Sequence, residues 1–247
     1  MSFFVKLFGR PKRAVKSLEE LLQVIGPNEV MQSYHSTTGP SLRLPSVLCA
    51  EVLHATHQFC LAIFETLNRL GKSGGALPDN VSYDAVAFET AAYCHYWLMR
   101  EYLDEAVRNI DDEDHEKKDC MGHNDAGKGD GYFRVLRDSM HLTDSIIRRY
   151  TTFNLDKDFF VNRISSYSIS RVDYSGQIPK DVASRFEAIL ASSIENGSPG
   201  LYGKDIRFGA PLLELAVKSC SPIFHQILAT LKQAGKDLYD RSEKGVL

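Results

Sequence analysis

The apolar positions recur at helical intervals over most of the chain. Between Pro45 and Leu70, residues Leu48, Val52, Leu53, Ala55, Phe59, Cys60, Ala62, Ile63, Phe64, Leu67 and Leu70 fill an arc of about 200° when projected at 100° per residue. That arc is wider than the stripe of a surface helix, so the spacing predicts a central helix touched by several neighbours. Proline in the first turn and Gly71 after the last apolar residue mark its ends. A second long helix is expected from about Ser82 to Ile110, with Phe88, Ala91, Ala92, Met99, Tyr102, Leu103, Ala106 and Ile110 on one face. Shorter helices are predicted from Ser17, where Ser17-Leu-Glu-Glu20 reads as a capping box, to Ile25, over Tyr132–Tyr150, over Asp156–Ser168, and from Pro179 to Gly197. Strand-like alternation is confined to a weak run at 170–174. The pattern predicts an all-α protein: an N-terminal segment 1–16, a helical bundle-like domain over 17–175, and a helical-hairpin C-terminal module over 178–247.

The last module repeats. Phe186–Gly197 (FEAILASSIENG) aligns with Phe224–Gly235 (FHQILATLKQAG) at an offset of 38 residues, close to the period of known helical repeats. Ala210-Pro-Leu-Leu-Glu-Leu-Ala-Val217 stands where ankyrin repeats have a Thr-Pro-Leu-His-x-Ala opening, and residues 182–247 resemble degenerate ankyrin units. Ala210 and Leu213 replace the family's Thr and His, and Ser221-Pro222 replaces its glycine turn. The resemblance implies a protein-binding surface, with Phe224–Gly235 as a second helix and Lys236–Gly245 as an outward finger carrying Tyr239 and Arg241.

Charge is uneven along the chain. Of its 29 basic residues five lie in residues 1–16, which hold no acid, so 24 basic residues face 32 acidic ones, or −8, over the rest. Such a body lacks the basic face that nucleic-acid binding needs. An acidic surface suits a basic protein partner through steering. In the first segment Phe3, Phe4, Leu7 and Phe8 share one helical face just before Arg10-Pro11-Lys12-Arg13. That pattern fits either packing onto the body or a peripheral membrane anchor. No unbroken apolar run reaches the length of a membrane span. Cys49, Cys60, Cys94, Cys120 and Cys220 form no CxxC pair and sit mostly in apolar patterns, which favours a reducing, cytoplasmic setting. Residues 111–131 are acidic, contain glycine and have almost no apolar residue, so they are expected to form an exposed loop.

Candidate chemistry is sparse. Glu51-x-x-His54 and Asp138-x-x-His141 have the i, i+3 spacing of a carboxylate–histidine metal bundle. Helical phase places each pair on the polar arc of its helix, with Arg134, Ser145 and Arg148 beside the second. Arg134 and His141 also resemble the Arg–His pair of helical ribonucleases of the HEPN type, from which Val135 departs. His115, Cys120 and His123 lack the spacing of a zinc site. His95 lies inside the apolar stripe of the second long helix and reads either as a general base or a ligand, or as a buried neutral imidazole held by a tyrosine hydroxyl or a carbonyl. No cofactor is expected, and the oligomeric state is not legible. The reading is a non-enzymatic protein–protein interaction protein, an adaptor or neutralising partner. The alternatives are a helical enzyme or carboxylate/histidine metal protein, and a peripheral membrane component.

Overall fold

The computed structural model describes residues 16–24, 43–73, 81–116, 130–168, 181–199 and 211–243. Every regular element within them is an α-helix, as the periodicity predicts: α1 (Leu18–Val24), α2 (Arg43–Lys72), α3 (Tyr83–Glu116), α4 (Asp130–Tyr150), α5 (Phe159–Ser168), α6 (Val182–Asn196), α7 (Pro211–Ser219) and α8 (Ser221–Glu243).

The long helices α2 and α3 form the centre. α2 packs on α1, α3, α4, α7 and α8, and α3 packs on α1, α2, α4, α5, α6 and α8. The wide arc read for α2 is observed: Leu48, Val52, Leu53, Phe59, Cys60, Ile63 and Leu67 are buried. α3 differs from its expected single face, because every residue from Ala85 to Tyr96 is buried. Ala85, Ala87, Ala91, Ala92 and Cys94 leave room for neighbours to approach from all sides, and a helix surrounded in this way needs apolar residues round its whole circumference. By length and composition Leu44–Lys72 is apolar enough to cross a bilayer, although polar residues interrupt its apolar runs; more than half of that stretch is buried within the protein.

Helix ends follow local chemistry. Ser17 Oγ accepts from the Glu20 amide at 3.1 Å, and the Glu20 carboxylate accepts from the Lys16 amide at 2.8 Å, so the reciprocal bond of the expected capping box falls one residue earlier. Asp181 caps α6 by accepting from the Ser184 amide at 2.8 Å, and Gly197 ends it at φ 66°, a left-handed conformation suited to glycine. Pro222 occupies the first turn of α8, where its missing amide hydrogen costs nothing.

Two expectations are corrected at helix ends. Residues 111–116 continue α3, and α4 begins at Asp130, so the acidic stretch is not a loop over its whole length; residues 117–129 lie outside the described ones. α8 runs through Gly235 to Glu243, so the described part of the expected finger is helix. The two aligned glycines therefore do different work. Gly197 is a C-cap, whereas Gly235 is an interior position where a methyl group would stand 2.8 Å from Leu98 Cδ2 and 2.9 Å from Tyr132 Oη.

The C-terminal helices share one apolar core with the others. Phe186 and Phe224, equivalent in the internal repeat, converge on Phe59 of α2: Phe224 stacks on it at 4.3 Å between centroids and Phe186 meets it edge-on at 6.1 Å. Phe186 also stacks on Tyr93 of α3 at 3.8 Å.

Candidate functional site

A half-open cavity of about 380 Å³ lies between α3, α4 and α8. Its walls follow from helical spacing. Leu98, Glu101 and Tyr102 stand at i, i+3 and i+4 on α3, and Ala229, Lys232, Gln233 and Lys236 form an adjoining stripe on α8. Gly235 lets α8 approach closely enough for Tyr132 of α4 to form part of the wall between them. Tyr102, Tyr132 and Tyr239 meet around this point, with ring centroids 5.5, 6.4 and 5.1 Å apart. Tyr132 is only 3% exposed, yet its hydroxyl has no hydrogen-bond partner among the described residues. Burial raises its pKa above the ordinary phenol value.

The charges at the rim are arranged as a set. Lys232 pairs with Glu101 and lies 4.2 Å from the centroid of Trp97, with the Arg100 guanidinium 5.0 Å from the same ring. Lys236 is exposed and has no acidic partner among the described residues. Donors and apolar surface thus face the cavity, and the Glu101 carboxylate is already neutralised.

Of the residues singled out in the sequence, Tyr239 lines this groove and Arg241 is exposed outside its lining. Phe3, Phe4, Leu7 and Phe8 lie outside the described residues, as do Cys120 and His123. Glu51 and His54 line a second, smaller groove of about 280 Å³ against Ile223, Ile227 and Thr230 of α8. Partial burial raises the Glu51 pKa, with the charge of His54 opposing. Asp138 binds Arg137 at 3.0 Å, and His141 is exposed like Arg134. Neither Asp138 nor His141 lines a groove with Glu51 and His54, and among the described residues no three His, Cys, Asp or Glu side chains gather where a metal could sit. Arg148 departs from the solvated face on which phase placed it. Its guanidinium binds Asp144 at 2.8 Å and donates to the carbonyls of Leu155 and Asp156 at 2.7 Å, tying the end of α4 to the start of α5.

His95 is 1% exposed and its Nε2 lies 2.9 Å from Thr143 Oγ1, so the partner is a threonine hydroxyl rather than the expected tyrosine or carbonyl. Thr143 in turn donates to the Ser139 carbonyl at 3.0 Å. Burial lowers the His95 pKa to about 3, leaving the ring neutral at physiological pH.

A buried ion pair was not anticipated. Glu89 of α3 faces Arg163 of α5 at 3.2 Å, accepts from Ser193 of α6 at 2.8 Å and from Tyr167 at 3.3 Å. Arg185 of α6 donates to the Tyr167 carbonyl at 2.8 Å. The signal was present, since Glu89 is the one Asp, Glu, Lys or Arg between Ala85 and Tyr96, and a carboxylate buried on all sides requires a partner. Burial pushes its pKa up, while Arg163, Ser193 and Tyr167 pull the other way. The group joins three helices and lines neither of the two grooves.

No known protein family matches the chain, and neither the curated proteins nor the solved structures yield a match.

Proposed function

We propose that this protein is a protein-interaction module that engages a partner through the groove between α3, α4 and α8. The observation that supports this reading is the groove itself, walled by aromatic rings and carrying a tyrosine hydroxyl that has no protein partner among the described residues. Tyrosine, tryptophan and cationic side chains around a partly desolvated pocket are the composition of an interface centre, where large rigid rings contribute area at small conformational cost. The two surfaces of α8 that flank its buried stripe both end in grooves, which makes this helix the natural recognition element.

Affinity capture from native cells with chemical cross-linking tests the reading. The full chain is compared with Ala229→Arg, which places a long charged side chain over the groove from an exposed position, and with Arg241→Glu outside the groove. A partner lost with Ala229→Arg and kept with Arg241→Glu supports the proposal. A partner indifferent to Ala229→Arg, or no reproducible partner, removes it.

A further inference from the structure

We propose that the groove between α3, α4 and α8 takes an acidic segment of the partner protein. In this arrangement an aspartate or glutamate carboxylate accepts from the Tyr132 hydroxyl beside Lys236, and a neighbouring apolar side chain lies against Tyr102 and Tyr239. The inference rests on the proposed function and names the partner's chemistry.

The lining decides the sign. Glu101 and Lys232 satisfy each other, and the Gln233 amide donates to Asp237 at 2.9 Å. Lys236 and Tyr132 also line the cavity, and neither the ammonium nor the hydroxyl has a partner among the described residues. That hydroxyl is open to the water of the groove, and an ionised acceptor entering there makes a stronger bond with it than a neutral group does. The net −8 read outside residues 1–16 points to a basic partner, but that field acts at long range and is screened over roughly 8 Å at physiological salt. Within the groove the contacting groups set the preference, and they are donors. The cavity is at the small end of ligand pockets and open along one side. That shape suits a side-chain anchor on a chain that continues past the rim.

Trp97 is the only tryptophan and touches Lys232, so its emission reports on the groove directly. The full chain, Tyr132→Phe and Lys236→Glu are panned in parallel against a display library of random octapeptides, with circular dichroism confirming that each variant is folded. The pool selected on the unmodified chain should be enriched in Asp or Glu next to Phe, Tyr, Leu or Ile. Its best peptide, titrated against Trp97 emission, should bind Tyr132→Phe and Lys236→Glu about tenfold more weakly, as loss of a bond to a charged group implies. Phenylacetate serves as the small-carboxylate probe and should bind far more weakly than the peptide. The inference is overturned by no enrichment, enrichment in Lys or Arg, apolar selection without acid bias, equal affinity for the variants, or phenylacetate binding as tightly as the peptide. A cellular partner that depends on the groove, together with peptides lacking acid bias, would leave the proposed function standing and remove this inference alone. Acid-selective peptides without a groove-dependent cellular partner would remove the proposed function and, with it, the partner segment inferred here.

Discussion

Glu89 and His95 sit six residues apart on α3, both buried, and they answer the cost of burial differently. Glu89 keeps company with a guanidinium and two hydroxyls, so removing either member of the ion pair strands the other in the core. Glu89→Gln and Arg163→Met are each expected to lower stability by about 3–5 kcal/mol in urea unfolding. The double variant should cost clearly less than the two added together; additive losses would show that the pair is not coupled. His95 instead gives up its proton. Its folded pKa of about 3 lies below the ordinary value of 6.5, so only the unfolded chain binds the proton between these limits. The stability it contributes is complete above pH 6.5 and falls by about 1.4 kcal/mol per pH unit on acidification towards pH 3. His95→Gln, which does not titrate, should show a stability difference between pH 7 and pH 5 that is smaller than the parent's by about 2 kcal/mol. An unchanged pH dependence would remove His95 as its source. The burial of His95 was legible from its place in the apolar stripe. The ion pair was not, because a sequence shows the isolated carboxylate and leaves its partner, 74 positions away in Arg163, unmarked.

Among the helices, spacing located the elements well and their ends less well. α2 and α4 match the predicted segments to within two residues at each end, since long amphipathic stripes outweigh local ambiguity. The two glycines of the internal repeat show where the reading failed. Identical spacing suggested two helix stops, yet only Gly197 has a positive φ, and Gly235 is kept small by Leu98 and Tyr132. Nothing in residues 224–243 distinguishes the two roles, because the neighbours that crowd Gly235 come from α3 and α4. Gly197→Ala should cost about 1–2 kcal/mol through left-handed strain. Gly235→Ala gains about 1 kcal/mol of helix propensity and meets a collision of about 1–3 kcal/mol, so it should be neutral to destabilising by about 2 kcal/mol. The Tyr132→Phe background discriminates: deleting Oη removes one of the two colliding atoms, so Gly235→Ala should be measurably better tolerated there. Equal costs in both backgrounds would mean that Tyr132 does not set the spacing of α8.

At the scale of the whole molecule the question is whether the residues before and after about 178 fold separately, as the change of pattern there suggests. All-α architecture was readable from periodicity alone, but periodicity says which face is apolar and not what covers it. In the structure the cover for much of α2 and α3 comes from the C-terminal helices: Phe186, Ile189, Leu190 and Ile194 of α6, Leu213 and Val217 of α7, and Phe224, Leu228, Leu231 and Leu238 of α8 are all buried in the shared core. Losing burial of about 1.5–3 kcal/mol per large side chain over such a set exceeds the 5–15 kcal/mol by which a typical domain is stable. A chain ending at residue 177 would also leave Phe59 and Tyr93 without the rings of Phe224 and Phe186 stacked on them, and Glu89 without the Ser193 hydroxyl. Calorimetry of that truncated chain should show no cooperative transition, and it should bind a fluorescent apolar dye where the full chain does not. A sharp melt close to that of the full chain would establish an independent domain. The same dependence governs the groove: α8 carries groove-lining and core residues at once, so a change confined to the groove needs exposed positions such as Ala229 and Lys236, whereas removing the helix would open the core as well.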